Sequence, residues 1–267
     1  MEITRQFTLS RPVSGWLRAT FDRPPLNLLD ADTIGELAEV VEILETDPEL
    51  RVVVFDSVNP DFFMARYDLS ATPPDPTDPF AGLHAFAEVA RRLSDSPVIS
   101  IASIRGRARG GGNELTLACD LRFASVENTF LGQPEVPSGI LPSGGGIERL
   151  TALVGRARAT EIVVTGDDYD AVTAERYGWV NRAIPDAELD AFVDRMARRI
   201  ASFDRTAIAA AKRLITRHTS VAESDLAETI AALPAVAAAT QPRRAQLREL
   251  AQQVGADFEL RLGHHLG

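Results

Sequence analysis

The 267 residues, 45% of them hydrophobic, suffice for one large core, or for a core with a small second module. A net charge of -10 excludes a nucleic-acid partner, since neutralising phosphates needs a basic surface; an anionic ligand would need basic residues gathered locally. A single cysteine cannot form an internal disulfide, the four histidines lack metal-ligand spacing, and no apolar run approaches the roughly 18 residues of a membrane span. Met1 to Ser10 lacks the apolar run of a secretory signal, so a cytosolic protein with no permanently bound cofactor is expected.

Phe7 to Arg11 and Gly15 to Phe21 read as two short strands around a Pro12–Ser14 turn. Asp22-Arg23-Pro24-Pro25 breaks the chain. Asp30 or Asp32 can then cap a helix to about Glu45, because Ile34, Leu37, Val40, Val41 and Leu44 recur at helical spacing. Val52 to Phe55 is an unbroken apolar run, which suits a strand covered on both faces. A loop is expected from Asp61 to Asp68, and a mobile insertion rich in Pro and Asp from Thr72 to Pro79. Next come a helix from about Phe80 to Ser94, a strand from Val98 to Ile104, a helix starting at Asn113 and a strand from Leu121 to Ser125. This alternation predicts an α/β catalytic core of repeated ββα units over residues 1–190. After Asp186 the pattern is helical, with Ala-rich segments at 189–202, 206–217, 221–239 and 242–254. Residues 191–267 thus form a helical region that can pack on the core or on a neighbouring subunit.

Chemistry concentrates in two segments. The first is Arg105-Gly106-Arg107-Ala108-Arg109-Gly110-Gly111-Gly112-Asn113-Glu114-Leu115. Three glycines after a strand let the backbone approach a ligand and adopt dihedrals that other residues avoid. A helix starting there aims unpaired N–H groups and its positive dipole end at a phosphate or a developing oxyanion. The segment is not a P-loop, because no Gly-Lys-Ser/Thr follows, and its spacing does not match the dinucleotide-binding glycine turn. A tight strand-to-helix turn, with Glu114 only complementing the helix dipole, accounts for the same residues.

The second segment is Leu131-Gly132-Gln133-Pro134-Glu135-Val136, with Gly139-Ile140-Leu141-Pro142-Ser143-Gly144-Gly145-Gly146 behind it. Pro134 forces an extended approach to Glu135, and the glycine run opens a helix through Arg149, Leu150 and Leu153. Alone, Glu135 reads as a surface or loop-bridging carboxylate. Two carboxylates, each beside a Gly-rich helix start, fit general acid/base work on a carbonyl compound. Elsewhere, Cys119 reads as a buried inert thiol, His84 as a structural or surface residue, and His264 and His265 as a frayed tail.

The two segments resemble the signature segments of the enoyl-CoA hydratase/isomerase (crotonase) superfamily. The similarity extends to Arg23-Pro24-Pro25-Leu26-Asn27-Leu28-Leu29-Asp30, Thr165-Gly166-Asp167, Ala174-Glu175 and Gly178-Trp179-Val180-Asn181, about residues 10 to 220 in all. The resemblance implies a crotonase-like ββα spiral core and a C-terminal helical region used for a homotrimer or a dimer of trimers. It implies an acyl-CoA substrate, with coenzyme A present only as part of the thioester. By position, the backbone N–H groups of Tyr67 and Gly111 would hold the enolate. Glu114 and Glu135 fall where hydratases carry two catalytic glutamates that hold one water and pass protons. Hydration of a 2-enoyl-CoA, as in fatty acid metabolism, is therefore expected. Double-bond isomerase, thioester hydrolase, decarboxylase and non-catalytic oligomeric roles are the alternatives on this fold.

Substrate contacts are expected from Arg23, Leu26, Ala65, Arg66, Asp68, Leu131, Pro142 and Ser143. The family commonly has Ala-Gly-Ala-Asp or Ser-Gly-Ala-Asp where this chain has Ala65-Arg66-Tyr67-Asp68, and often Gly in place of Ser143. A backbone N–H survives these changes. The Tyr67 ring is expected to point inward and narrow the acyl or pantetheine channel, with Arg66 seeking solvent. Arg23 and Arg66 are candidates to meet a CoA phosphate, and Asp68 to cap the helix or turn after it.

Overall fold

Val52, Val53, Val54 and Phe55 are all buried, so both faces of this strand must be covered. The computed structural model describes residues 5–69, 75, 77–219, 221–255 and 257–266, and helices supply both covers. Strands β1 (Phe7–Val13) and β2 (Trp16–Phe21) form a hairpin and lead to α1 (Ala31–Thr46), β3 (Val52–Ser57) and β4 (Phe62–Met64). Next come α2 (Ala81–Asp95), β5 (Ile99–Ile104), β6 (Arg107–Arg109), α3 (Gly111–Ala118), β7 (Leu121–Ser125) and β8 (Phe130–Gly132). The chain continues through α4 (Gly146–Thr165), β9 (Tyr169–Asp170), α5 (Ala171–Tyr177) and β10 (Arg182–Ile184). It ends in α6 (Asp186–Ala201), α7 (Arg205–Thr216), α8 (Glu223–Ala239), α9 (Gln241–Val254), α10 (Asp257–Leu260) and α11 (Leu262–His265).

Two sheets result. One has six strands in the order β1-β2-β3-β5-β7-β10, the other four in the order β4-β6-β8-β9. Each of β3-β4-α2, β5-β6-α3 and β7-β8-α4 gives one strand to each sheet and then a helix. This is the expected ββα spiral of an α/β crotonase-like core. Between 61 and 68, where a loop was expected, the chain forms β4. Its three residues, like those of β6 and β8, are too few for side-chain alternation to register; pairing with the next turn of the spiral makes them strands.

Alternation along β3 explains its double burial. Val53 and Phe55 join the cluster containing Leu37, Val41 and Phe86 of α1 and α2, whereas Val52 and Val54 pack with Leu189, Val193 and Ala197 of α6. Residue 190 therefore lies inside an element that covers the core sheet. Asp30, rather than Asp32, caps α1: its Oδ1 accepts from Thr33 N at 2.9 Å, with the Thr33 hydroxyl facing back to Asp30 N. No helix among the described residues is long and apolar enough to cross a membrane.

Lys212 is the only buried residue of α7. Its Nζ donates to the Val98 carbonyl at 2.8 Å and lies 2.8 Å from Asp120 Oδ2. Removing it takes the cationic donor from two acceptors that Ser96 and Ser100 still serve, and unpins the helix. Lys212→Ala is expected to cost about 2–3 kcal/mol, read as a lower urea midpoint at unchanged m. An unmoved midpoint would mean that α7 is held by other contacts.

Candidate active site

Both candidate carboxylates depend on where α3 lies. All eight of its residues are buried, and a Cβ at Gly112 would fall 1.9 Å from the Met64 carbonyl oxygen of β4. Only glycine permits that approach. Glu114, in the first turn, then faces the start of α4, where the N–H groups of Gly144 and Gly146 donate to its Oε1 at 2.8 and 2.9 Å. These donors belong to a helix N-terminus, whose dipole favours a carboxylate.

Glu135 sits in the turn between β8 and α4. Ile140 N donates to its carbonyl at 2.9 Å, folding the chain back on itself. The side chain is buried, so it is no surface carboxylate. It faces α3 so closely that a Cβ at Gly110 would lie 2.7 Å from Oε1, and Oε2 has no hydrogen-bond partner among the described residues. The flanking residues are bonded to each other: Asn113 Nδ2 donates to Gln133 Oε1 at 2.5 Å, and Asn113 Oδ1 accepts from Trp179 Nε1 at 3.0 Å.

The two acids have unequal proton affinities. Burial pushes Glu114 up to about 7, against the pull of the two amides and of Arg149. Burial, and next the charge of Glu114, push Glu135 well above the usual carboxyl range. Glu114 holds the helix-terminal amides, so it ionises first and Glu135 keeps its proton.

Leu29 and Tyr67 form a parallel bridge in which Leu29 N donates to Arg66 O at 2.8 Å and Asp68 N to Leu29 O at 2.7 Å. Such a bridge uses the groups flanking Tyr67, so the Tyr67 N–H points the other way, towards α3. A Cβ at Gly111 would lie 3.6 Å from that nitrogen. Gly111 N–H, in the first turn of α3, has no acceptor within the helix. The two amides share one space beside the carboxylates.

These groups line a cavity of about 680 Å³. The Tyr67 ring turns into it, packed with Leu83, Ile140 and Leu233, and its hydroxyl lies over Gly82. Burial raises that hydroxyl's pKa. Arg66 does not seek solvent: Nε donates to Glu259 Oε1 at 3.1 Å and Nη1 to the Tyr67 carbonyl at 3.0 Å. Arg107 Nε donates to Leu260 O at 3.1 Å, and Arg109 joins Asp168 to the Glu259 carbonyl. The C-terminal helices are thereby drawn over the cavity, and Leu247, Phe258 and Leu262 line it.

Residues 14–245 match the enoyl-CoA hydratase/isomerase family. The chain belongs to this family. It is 36% identical to the carnitinyl-CoA dehydratase of Escherichia coli (strain K12) over 200 residues, 74% of this chain and 76% of that protein. The crystal structure of a candidate enoyl-CoA hydratase from Streptomyces avermitilis superposes with a TM-score of 0.87 at 42% identity, over 98% of this chain and 96% of its own. An enoyl-CoA hydratase from Mycobacterium avium subsp. paratuberculosis K-10 gives 0.81 at 26% identity, over 92% and 98%.

In this enoyl-CoA hydratase/isomerase family member, Glu114, Glu135, Tyr67, Gly111, Arg66 and Ser143 share the cavity wall. Arg23, Leu26, Ala65, Asp68, Leu131 and Pro142 do not line it. Arg23 is engaged by Asp30 and by the Leu28 carbonyl at 2.9 Å. Ala65 and Leu131 are buried in the core, and Leu26 and Asp68 are half-buried. Pro142 packs against the start of α4, 3.0 Å from where a Gly146 Cβ would lie. His84 is half-exposed beside Asp78, and the Cys119 thiol is buried and pushed up to about 12 by that burial. Half of the Pro-rich stretch from Thr72 to Pro79 and the side chains of His264 and His265 fall outside the described residues. Sequence reading missed Phe80, Leu83 and the cavity face of α9, because nothing local to those helices records which site they cover.

A carboxyl whose folded pKa is raised loses stability as pH climbs from its unfolded value of about 4.3 towards the folded one. Glu135 carries that cost at neutral pH. Glu135→Gln is therefore expected to be more stable than the parent at pH 8, by about 1–3 kcal/mol, and to match it near pH 4. Urea unfolding at the two pH values would measure this; no gain at pH 8 would mean the carboxylate is solvated or partnered.

Proposed function

We propose that this protein adds water across the double bond of a 2-enoyl-CoA, giving the 3-hydroxyacyl-CoA. One observation above the rest supports this reading: two buried glutamates on one cavity, one held by helix-terminal amides and the other with an Oε2 that has no partner among the described residues. Moving a double bond needs one base. Adding water needs a base for the water and an acid for the substrate carbon, and two carboxyls with separated proton affinities suit that pair of tasks.

In this mechanism the thioester oxygen accepts from the N–H groups of Tyr67 and Gly111. Ionised Glu114 takes a proton from a water as its oxygen bonds to the β-carbon. The alkene electrons move onto the carbonyl, where the two amides and the α3 dipole meet the enolate charge. Glu135 then delivers its proton to the α-carbon, and the sum is one water gained. One proton must pass from Glu114 to Glu135 before the next turnover. Coenzyme A enters and leaves as part of the thioester. The dehydratase relative is named for the same step in reverse.

Incubation with 2-enoyl-CoA esters should show a mass gain of one water. Glu114→Gln and Glu135→Gln should each lower kcat by at least ~10²-fold, and the double variant should fall well short of the product of the two losses. The rate should fall as pH drops through about 7, where Glu114 protonates, and again at higher pH as Glu135, held above Glu114 by burial and by the charge of Glu114, loses its proton. Full turnover by Glu135→Gln beside a dead Glu114→Gln would replace hydration with a single-base isomerisation.

The proposal extends to a trimer or dimer of trimers in the cytoplasm. Phe203, Leu214 and Ile215, on and beside α7, are 46%, 51% and 67% exposed, which supports a covered apolar face. Light scattering at micromolar concentration should return a mass of three or six chains; a monomer would remove this part.

A further inference from the structure

The face that α9 turns to the cavity is not apolar. Arg244, Leu247, Arg248, Ala251 and Gln252 line the cavity, at the spacing of a single helix face. A helix that merely closed a greasy channel would carry aliphatic residues at 244 and 248. Two guanidinium groups one turn apart stand there instead, in a protein of net charge -10.

Other arginines around the site are already paired, Arg66 with Glu259, Arg109 with Asp168 and Arg23 with Asp30. Among the described residues no carboxylate pairs with Arg244 or Arg248. Arg244 Nη2 donates to the Ala237 carbonyl, and its Nε is buried with no partner among the described residues. A buried donor left unmet is costly.

The placement of α9 says which part of a ligand these groups would meet. The helix is docked on the Glu135 turn: Thr240 Oγ1 donates to the Gly139 carbonyl and Arg243 Nε to Pro137 O at 3.0 Å. Arg244 Cγ lies 3.2 Å from where a Gly139 Cβ would be. The thioester end belongs to Tyr67 and Gly111, so an acyl chain continuing past Glu135 runs towards α9. Leu83, Ile140 and Leu141 line the same cavity and give it an apolar wall suited to methylenes.

We propose that Arg244 and Arg248 recognise a carboxylate at the far end of the acyl group, so that the preferred substrate is the monothioester of an unsaturated dicarboxylic acid. This rests on the enoyl-CoA reading above. The same charges repel an acyl group ending in a quaternary ammonium, as carnitine does. Substrate charge thus separates this chain from its dehydratase relative.

The test uses the whole protein and 2-enedioyl-CoA esters of five and six carbons, each beside its neutral 2-enoyl-CoA partner. The dicarboxylic esters should be preferred in kcat/KM by about tenfold or more, the order of one charge-assisted hydrogen bond. Arg248→Gln and Arg244→Gln should each reduce that ratio about tenfold, and a 2-enoyl-CoA ending in a quaternary ammonium should be the poorest substrate. Variants that keep the ratio and weaken every ester and free coenzyme A alike would assign the arginines to CoA phosphates and overturn the proposal. Binding of saturated glutaryl-CoA against pentanoyl-CoA, which requires no chemistry, separates the two readings. If no ester gains water, yet glutaryl-CoA binds about tenfold tighter and loses that margin in Arg248→Gln, hydration fails and the carboxylate site stands. Equal binding of the two saturated esters sinks the carboxylate site, whether or not hydration occurs.

Discussion

The closeness of α3 to β4 is the constraint from which the rest of the site follows. With the Met64 carbonyl 1.9 Å from where a Gly112 Cβ would be, even alanine would push the helix away. The helix could not then present its first-turn amides beside Tyr67 while sending Glu114 across to α4. Helix position, amide pair and carboxylate orientation are three consequences of one missing methyl group. The two sheets of the spiral bring this about, because β6 delivers the chain to α3 directly beside β4.

Two carboxyl groups buried on one cavity are a liability for folding. The fold answers with unequal support. Glu114 receives two amides at the N-terminus of α4, whereas Glu135 receives shape: the turn closed by Ile140 N and the apposed Gly110 hold it in place. Asn113 and Gln133 then lock the segments carrying the two acids together, and Trp179 fixes Asn113 from behind. The inequality is chemically useful. Two acids in equal surroundings would compete for one proton, while these hold it in a defined order.

The main architecture was legible because long elements carry their own signals. Five apolar positions of α1, the run Val52 to Phe55 and the glycines before Asn113 and after Pro142 each announce an element or its start. The three-residue strands β4, β6 and β8 announce nothing, since they exist only through pairing across the spiral. The site divided along the same line. Glu114 and Glu135 stood out beside glycine runs, whereas the half of the cavity built by Leu83, Phe258 and α9 arises from segments far apart in the chain. Arg23 illustrates the limit: a guanidinium beside a Pro-Pro break invites a ligand, but Asp30, seven residues on, already engages it.

Arg66 and Tyr67 depart most from the pattern this chain resembles, and the structure ties the two departures to a third residue. Where a glycine would leave the segment loose, the Arg66 guanidinium reaches both Glu259 and the carbonyl of Tyr67. The Leu29 bridge grips the same segment from the other side, through Arg66 O and Asp68 N. The Tyr67 peptide is therefore held on both flanks while its N–H remains turned towards Gly111. Replacing glycine by arginine would normally cost the segment its backbone freedom. Here the side chain makes that freedom unnecessary, because it anchors the backbone to α10. Arg66 and Glu259, 193 positions apart, thus form one structural unit, and the C-terminal helices are part of what sets the geometry of the cavity.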